Sequence, residues 1–347
     1  MATTRSIQDD NIRSTPMMTH RFFRFTASLT LAGLSTLALT GMAQAATEIR
    51  VAYGNQPGEP VDVAVKEWAK SVEKASDGEL TLKAFPASQL GGETEVMEQA
   101  RFGSPLITIT AYSNFMSSVP DLAVLDAPYL SDDFDSKLKV FESDWFAEQE
   151  KKVEESGYHI VIPNSVYGVR HLLSREAVAT PEDLAGVKVR VQNSPMYVAA
   201  IEAMGAVPTP MSLGDVYPAL AQGLVDGVEN PLPVLYGGKF YEVVKNLNLT
   251  AHMHTVAPFV TGEAFWQQLS PEDQKILTET GQEMAKNLRS LVEKETDKSL
   301  QQLKDAGVQV HEVDTAPFRE RAQQEVPAAF PQWSEGLYQE VSDIING

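Results

Sequence analysis

The stretch TPEDLAGVKVRVQNSPMYVAAIEAM, residues 180–204, predicts a short helix, a strand and a second helix in close succession. Thr180 can cap the short helix, because its hydroxyl accepts hydrogen bonds from first-turn amides, and Pro181 suits the first helical position. Three valines then alternate with a lysine and Arg190, which is the two-residue period of a strand with one apolar face. The second helix is predicted from about residue 195 to residue 204.

Arg190 is the residue of this strand that needs an explanation. One interpretation is that its side chain points to water, and the other is that it points into a cleft and binds an anion. Ligands of open parallel sheets bind beyond the carboxyl ends of the strands. Arg190 lies near that end of its strand, just before the turn formed by Asn193, Ser194 and Pro195. This position favours the second interpretation.

Strand and helix signals alternate in the region before this stretch. Strands are predicted at Glu48–Gly54, Asp77–Phe85 and Pro105–Tyr112, and helices at about Val61–Ser76 and at Gly91–Gly103. The second of these helices has glycines at both ends and acidic residues in its first turn, which favour a helix start. A β-α-β-α-β order argues for a parallel sheet wrapped by helices. The sequence therefore predicts an α/β protein.

The same alternation returns in a second block. A strand is predicted at Tyr158–Asn164, and a helix at Ser212–Gly223. Residues 270–306 are predicted to be almost entirely helical, and a strand at residues 308–313 and a closing helix complete the chain. Two α/β blocks predict two lobes with a cleft between them. Each lobe is expected to be a mostly parallel sheet wrapped by helices, and the long helix is expected to brace both.

The N-terminal region has the composition of a secretory signal peptide. Two arginines, Arg21 and Arg24, precede an uncharged apolar run, and the small residues Ala43-Gln44-Ala45 follow it. We expect residues 1–45 to be removed by cleavage after Ala45. A membrane anchor is the alternative, but threonine, serine and glycine dilute the run. Because no later stretch reaches transmembrane length, we predict an exported protein that is not embedded in the membrane.

Composition and charge exclude several classes of function. The formal net charge is -19, so the surface repels nucleic acids and anionic membranes. The chain contains no cysteine, which excludes disulfides, cysteine nucleophiles and thiolate metal sites. An acidic protein that binds an anion must do so with a few well-placed cations.

The sequence lacks the common catalytic and metal-binding motifs. It contains no G-x-S-x-G, G-x-x-x-x-G-K-[ST], H-E-x-x-H or G-x-G-x-x-G. His252 and His254 are close together, but no acidic or histidine partner follows at a metal-binding spacing. We therefore predict a binding protein that is not an enzyme and needs no metal or cofactor. An acid–base pair of carboxylates and a cation that bridges the ligand stay open as alternatives.

A series of motifs between Tyr167 and His252 is shared with one family. The motifs are G-x-R, T-P-E-D-L-x-G-x-K-x-R-V, A-x-G-A-x-P-T-P-M, V-Y-x-A-L-x-x-G-x-V-D-G-x-E-N-P and K-F-Y-E-V-x-K. In order and spacing they closely resemble the solute-binding proteins of TRAP (tripartite ATP-independent periplasmic) transporters, of the DctP type. The flanking segments PASQLGGETEVMEQARFG and VLDAPYL are similar to that family as well, so the resemblance extends from about Glu48 to the C-terminus.

The resemblance implies a two-lobe fold like that of periplasmic binding proteins. Lobe I is expected to comprise residues 46–166 and about 255–295, and lobe II about 167–254 and about 296–347. A protein of this family traps a carboxylate-bearing solute in the periplasm, between its lobes. It then delivers the solute to a transporter made of a small and a large membrane subunit. A ligand sensor for a signalling receptor and an exported enzyme acting on a small acid are the alternatives.

The resemblance also assigns ligand contacts. Arg190 is expected to pair with the ligand carboxylate, because a guanidinium offers two parallel hydrogen bonds to a carboxylate. Arg170, of the G-x-R motif, is expected to assist, although it could also be a solvated strand residue. Asn230, of the E-N-P motif, is expected to bind the same end of the ligand, although it could instead cap a helix beside Pro231.

Four further positions are predicted to face the cleft. Asn193 follows the arginine strand, and Asn114 and Phe115 follow the last strand of the first block. Leu213 stands where sialic-acid-binding relatives carry a phenylalanine, which argues against sialic acid as the ligand. The segment NSPMYVAAI is similar to relatives that bind sugar acids such as diketogulonate. A sugar acid similar to a hexuronate is therefore predicted, with a C4-dicarboxylate as the alternative.

Overall fold

A computed structural model describes residues 46–347. The predicted signal peptide, residues 1–45, lies outside the described residues. One sheet of nine strands runs through the described part of the chain. Its strands are β1 (Thr47–Ala52), β2 (Leu80–Phe85), β3 (Leu106–Ile109), β4 (Tyr158–Ser174), β5 (Lys188–Val191), β6 (Val207–Pro210), β7 (Gly227–Pro231), β8 (Asn246–Gly262) and β9 (Gln309–Glu312).

Helices connect most of the strands. The α-helices are α1 (Pro60–Ala75), α2 (Glu93–Arg101), α3 (Phe134–Leu138), α4 (Asp144–Glu155), α5 (Pro195–Met204), α6 (Val216–Ala221), α7 (Leu232–Gly237), α8 (Glu263–Trp266), α9 (Pro271–Asp305), α10 (Ala316–Ala329) and α11 (Leu337–Asn346). Short 3-10 helices occur at Tyr112–Phe115, Pro120–Asp126, Lys139–Glu142, Pro181–Leu184, Leu213–Asp215 and Phe240–Glu242. None of the helices in this described part is both long and apolar enough to span a membrane.

The strand order confirms the predicted α/β class. The order across the sheet is β2-β1-β3-β8-β4-β7-β5-β6, and β9 pairs with β8. β1 is parallel to β2 and β3, as the β-α-β-α-β pattern predicts, and β5 is parallel to β6 and β7. The two parallel groups are joined by antiparallel pairing, because β8 runs opposite to β3 and β4, and β4 opposite to β7.

The central strand β4 is much longer than the sequence pattern predicts, and no strand was predicted at its neighbour β8. Each contains 17 residues, whereas the pattern predicted a strand that ends at Asn164. Changes of register occur between Ile162 and Ser165 and between Val166 and Gly168, so the strand continues through irregular points. Gly168 has a φ of +134°, which L-residues with side chains avoid, and its position close to Pro231 leaves no room for a Cβ atom.

These two strands connect the halves of a two-lobe fold. β8 pairs with β3 of the first block, β4 pairs with β7 of the second, and β8 and β4 pair with each other, so the two long strands link the two parallel groups. Two of the changes of register in β4, at residues 162–165 and 166–168, lie before the segment that pairs with β7. The lobe boundary near residues 166 and 167 stays a prediction.

The long helix α9 packs against elements of both blocks. It contacts β4 and α1 on one side and α7 on the other. It begins after Ser270, whose hydroxyl accepts from the backbone amide of Asp273 at 3.1 Å, while the Asp273 carboxylate accepts from Ser270 in return. Gly281 lets α9 approach Ile162 and Trp68 closely. The long helix therefore contacts elements of both blocks, as predicted.

Candidate functional site

A cavity lies where the carboxyl ends of the parallel strands meet. The residues that line it follow β1, β3, β5 and β6, as expected for an open α/β sheet. The wall also includes residues of β4, β7 and β8 and the start of α2. The polar and charged residues of this wall include Asn55, Glu93, Thr110, Asn114, Tyr167, Arg170, Arg190, Gln192, Asn193, Asn230 and Thr255.

Arg190 is a buried cation of the cavity wall. Only 3% of its surface is exposed, and its Nε and Nη2 atoms donate to the carbonyl oxygen of Met211 at 3.0 and 2.7 Å. Within residues 46–347 it forms no ion pair with a carboxylate. Burial lowers the pKa of Arg190 to about 10, so the side chain stays charged at neutral pH. A buried charge that lacks a counterion favours an anion beside it.

Arg170 has the same burial but a different environment. Its Nε donates to Oε2 of Glu229, and its Nη2 donates to Oε1 of Glu229 at 2.8 Å and to the Glu229 carbonyl at 3.1 Å. The guanidinium also lies 5.0 Å from the centre of the Tyr197 ring. Burial alone would lower the pKa of Arg170, but the Glu229 carboxylate raises it above the usual range. Its charge is therefore balanced within the protein.

Glu229 is the carboxylate that holds Arg170 in position. It is fully buried, and the Nε2 atom of His252 lies 3.2 Å from its Oε2 atom. Burial alone would raise the pKa of Glu229, but Arg170 and His252 lower it to about 2. Glu229 is the glutamate of the E-N-P motif, for which the sequence predicts no role. Glu229 is the third residue of β7, and its pairing with Arg170, which lies on another strand, is one that only the fold reveals.

Four of the five other predicted residues line the cavity. Asn230 is buried in β7, and its side chain forms no hydrogen bond with any described residue. Asn193 is exposed in the turn after β5, and Leu213 starts a 3-10 helix after β6. Asn114 donates from its amide group to Glu93 at 2.8 Å. The structure thus brings Arg170, Arg190 and these four residues together, and their contacts with a ligand stay predictions.

The structure does not bring Phe115 to the cavity. Its ring is 1% exposed and packs edge to face against Tyr158, with the ring centres 5.4 Å apart. The residue belongs to the 3-10 helix Tyr112–Phe115, in which each residue turns by a third of a circle. Asn114 therefore faces the cavity while Phe115 faces the core. The prediction that both residues face the cleft did not include this helical turn.

Glu93 is a cavity residue that the sequence analysis did not single out. It is the first residue of α2, and its Oε1 atom accepts hydrogen bonds from the hydroxyl of Thr110 at 2.6 Å and the backbone amide of Ala111 at 3.0 Å. The Asn114 amide is the third donor to the same oxygen. Burial raises the pKa of Glu93, while the hydrogen bonds from Thr110 and Ala111 and the charge of Arg190 oppose the shift. The acidic first turn was a signal for a helix start, and it contained this residue.

Two polar atoms of the wall have no partner in the described chain. Nε2 of Gln192 and Oγ1 of Thr255 are buried and form no hydrogen bond there. Buried polar groups are nearly always hydrogen-bonded, because an unpaired one costs about 1–3 kcal/mol. Unpaired donors and acceptors in a cavity wall are suited to a ligand that carries several polar groups.

Contacts between the two blocks enclose the cavity. The hydroxyl of Ser194, before α5, donates to the hydroxyl of Ser113 at 2.7 Å. A Cβ atom at Gly92, before α2, would lie 2.6 Å from the hydroxyl of Ser212. These contacts join segments that are far apart in the chain, so the structure corresponds to a closed arrangement around the cavity.

The two neighbouring histidines do not form a shared site. His252 contacts Glu229 and lies 2.8 Å from the Thr250 hydroxyl, whereas His254 packs edge to face against Phe134. Over the residues that the structure describes, no group of three or more histidine, aspartate or glutamate side chains is arranged to hold a metal ion.

An enclosed polar cavity at the strand ends, with a buried cation in its wall, is characteristic of proteins that bind a small solute. The chain belongs to the DctP family, described as bacterial extracellular solute-binding protein, family 7, and the family model matches residues 51–332. The resemblance to TRAP solute-binding proteins is thereby confirmed. The family consists of solute-binding proteins rather than enzymes.

Known relatives support the same assignment. The 2,3-diketo-L-gulonate-binding periplasmic protein YiaO of Escherichia coli is 32% identical over 287 residues, which cover 82% of this chain and 86% of YiaO. A TRAP periplasmic solute-binding protein of Actinobacillus succinogenes, solved with bound L-galactonate, is 50% identical with a TM-score of 0.85, covering 86% of this chain and 99% of that one.

A second solved structure gives the same result. It is a TRAP periplasmic solute-binding protein from Ochrobacterium anthropi with bound L-fuconate, which is 42% identical with a TM-score of 0.85. The match covers 87% of this chain and 100% of that one. Agreement of this extent confirms the two-lobe α/β fold. Periplasmic location of the relatives also supports the predicted location of this protein.

Proposed function

We propose that this protein is the periplasmic component of a TRAP transporter and that it captures a sugar acid. The observation that carries the proposal is Arg190, a buried cation in the wall of an enclosed cavity that has no carboxylate partner in the described chain. The relatives named above are described with 2,3-diketo-L-gulonate, L-galactonate and L-fuconate, each of which is a six-carbon acid with one carboxylate.

The proposed binding mode starts from the guanidinium groups. Arg190 pairs with the solute carboxylate through the donors that Met211 does not use. Arg170 contributes Nη1, which has no hydrogen-bond partner among residues 46–347, while Glu229 holds its other donors. Asn230 donates its amide to the same carboxylate. Bonds to charged groups contribute on the order of 1.5–3 kcal/mol each, and two or three of them with lobe closure give roughly micromolar affinity.

The rest of the cavity would bind the remainder of the solute. Asn114 offers its side-chain carbonyl oxygen, because its NH2 group donates to Glu93 and Thr110. Asn193, of the other block, offers a whole amide group, and Leu213 offers an apolar surface. A sugar acid contacts both blocks at once, so it favours the closed arrangement over an open one. The closed, loaded protein then delivers the solute to the small and large membrane subunits of the transporter. Cleavage after Ala45 would release the mature protein into the periplasm.

The proposal is tested by binding measurements on the mature protein after removal of bound solute. The ligands are L-galactonate, L-fuconate and the neutral polyol galactitol, which lacks a carboxylate. At a hundred times its dissociation constant, a ligand adds about 2.7 kcal/mol to the free energy of unfolding, a shift that thermal melts detect. We expect the two acids to stabilise the protein and galactitol to have no effect.

The matched variants are Arg190→Ala and Lys188→Ala. Both residues belong to β5, but Lys188 is exposed and does not line the cavity. Arg190→Ala should lower the affinity for L-galactonate at least about a hundredfold, since two charged hydrogen bonds are lost. Lys188→Ala should bind as the wild type does. Undiminished affinity in a folded Arg190→Ala variant would contradict the assignment of the anchor.

A further inference from the structure

We propose that Glu93 selects the charge of the solute. The site would accept a polyhydroxy acid with one carboxylate, a hydroxyl of which donates to Glu93, and reject an acid with a second carboxylate. This inference rests on the proposed function, because it concerns the groups of the sugar acid other than the carboxylate that Arg190 binds.

The hydrogen bonds of Glu93 fix its side chain and leave one oxygen unused. Oε1 accepts from three donors, which belong to Thr110, Ala111 and Asn114. Oε2 forms no hydrogen bond with any residue between 46 and 347, and Glu93 lines the cavity. Two of the three donors are N–H groups, which cannot accept, so they favour the ionised carboxylate. The cavity therefore contains an oriented acceptor that needs a donor from the ligand.

The charges of the cavity wall leave room for one anionic group. Arg170 is neutralised by Glu229, so Arg190 is the remaining cation of the lining residues, and Glu93 is the opposing anion. A solute with one carboxylate occupies Arg190. A second carboxylate would find no counterion in the wall and would lie in the same low-dielectric space as Glu93, where like charges repel strongly.

The two charged groups of the wall therefore offer different chemistry to a ligand. Arg190 comes from β5 in the second block and offers donors, whereas Glu93 comes from α2 in the first block and offers an acceptor. A sugar hydroxyl is a donor that suits Glu93, and the terminal group of a dicarboxylate at neutral pH is not. Because the two residues belong to different blocks, a hydroxyl bound to Glu93 also stabilises the closed arrangement.

The test compares two ligands that differ only at one end. L-Galactonate ends in a hydroxymethyl group, and galactarate carries a second carboxylate there. Affinities are measured by isothermal titration calorimetry at pH 7.5 with the wild type, Glu93→Gln and Glu95→Gln. Glu95 is an exposed glutamate of the same helix that does not line the cavity, so it is the matched control.

We expect the wild type to bind L-galactonate at least about a hundredfold more tightly than galactarate. Glu93→Gln should bind L-galactonate about tenfold more weakly, because a hydrogen bond to a charged group is lost, and galactarate more tightly. The ratio of the affinities for L-galactonate and galactarate should thus fall by at least about tenfold in Glu93→Gln. In Glu95→Gln this ratio should stay at the wild-type value. Melts of the ligand-free variants show whether they are folded.

The outcomes separate this inference from the proposed function. Tight binding of both acids by the wild type would overturn the role of Glu93 and leave the sugar-acid function intact, and this result needs no variant. An unchanged preference in a folded Glu93→Gln variant would overturn it as well. If the wild type binds neither L-galactonate nor any other sugar acid, the proposed function fails and the inference fails with it.

Discussion

At the scale of single residues, two buried arginines with different partners define the chemistry of the cavity. Arg170 donates to the carboxylate of Glu229, while Arg190 donates to the carbonyl of Met211. A carbonyl dipole does not neutralise a guanidinium, so these similar side chains differ in net local charge. For this reason the proposed anion site is at Arg190. Arg170, whose charge Glu229 balances, has the assisting role in the proposal.

Removing one partner of the Arg170–Glu229 pair should strongly destabilise the protein. Glu229→Gln leaves a buried guanidinium without its counterion, which costs about 3–5 kcal/mol in the free energy of unfolding. Urea denaturation at pH 7 measures this loss. Glu176→Gln, an exposed glutamate just after β4, is the control and should change stability by less than about 0.5 kcal/mol. Equal midpoints for the two variants would contradict the proposed importance of the pair.

At the scale of elements, the irregular strand β4 shapes the site. It reaches from the first block to the second, and Gly168 stands two residues before Arg170 at one of its changes of register. A side chain at position 168 would be strained by the positive φ and would clash with Pro231. The glycine of the G-x-R motif is therefore required by the path of the strand, and the arginine takes its position from it.

Gly168→Ala should destabilise the protein by about 2–4 kcal/mol. An alanine at this position would have to adopt a disfavoured backbone conformation, and its Cβ atom would lie 2.8 Å from the Cβ of Pro231. Thermal and urea melts measure the effect. Gly214→Ala is a suitable control, because a Cβ there meets its nearest neighbour, Ser88, at 3.9 Å. A Gly168→Ala variant as stable as the wild type would show that the strand can follow another path.

At the scale of the whole molecule, a buried carboxyl group lies at a contact between the two blocks. Glu59, before α1, accepts from Asn55 at 2.8 Å, and its Oε1 atom is buried without a partner in the described chain. That oxygen lies so close to Gly237, in α7, that a Cβ there would be 2.1 Å away. Burial raises the pKa of Glu59 to about 8, against the hydrogen bond from Asn55.

This group should make stability depend on pH between about 4.5 and 8. The folded protein retains the Glu59 proton over this range while the unfolded chain releases it, so the stabilising contribution is complete below the unfolded pKa and is lost as pH rises through the folded pKa. Between pH 6 and pH 9 the wild type should lose about 1–3 kcal/mol relative to Glu59→Gln. Urea melts across this range measure the difference.

The matched control for this pH dependence is Glu67→Gln. Glu67 is exposed on the same helix, α1, and should leave the pH profile of the wild type unchanged. If Glu59→Gln and the wild type have parallel profiles from pH 6 to pH 9, the carboxyl group is not the source of the alkaline loss.

Much of the architecture was determined by local sequence patterns. The alternation of apolar residues and the capping residues Thr180 and Ser270 predicted the strands and helices around them, because these signals act within a few residues. The predicted helix at residues 195–204 coincides with α5, and the long helical region with α9. The family motifs identified Arg170 and Arg190 as candidate ligand-binding residues, and the structure brings both to one cavity.

Tertiary structure decided what depends on contacts between distant segments. The full length of β4 and β8 follows from their pairing with each other, which overrides the glycine and proline that interrupt the local pattern. The Arg170–Glu229 pair joins residues 59 positions apart, and Glu93 reaches the cavity because α2 packs beside β3. Phe115 is turned into the core by one 3-10 helix. Periodicity reports which face of an element is apolar, but the partner of a buried charge is set by the packing of the whole chain.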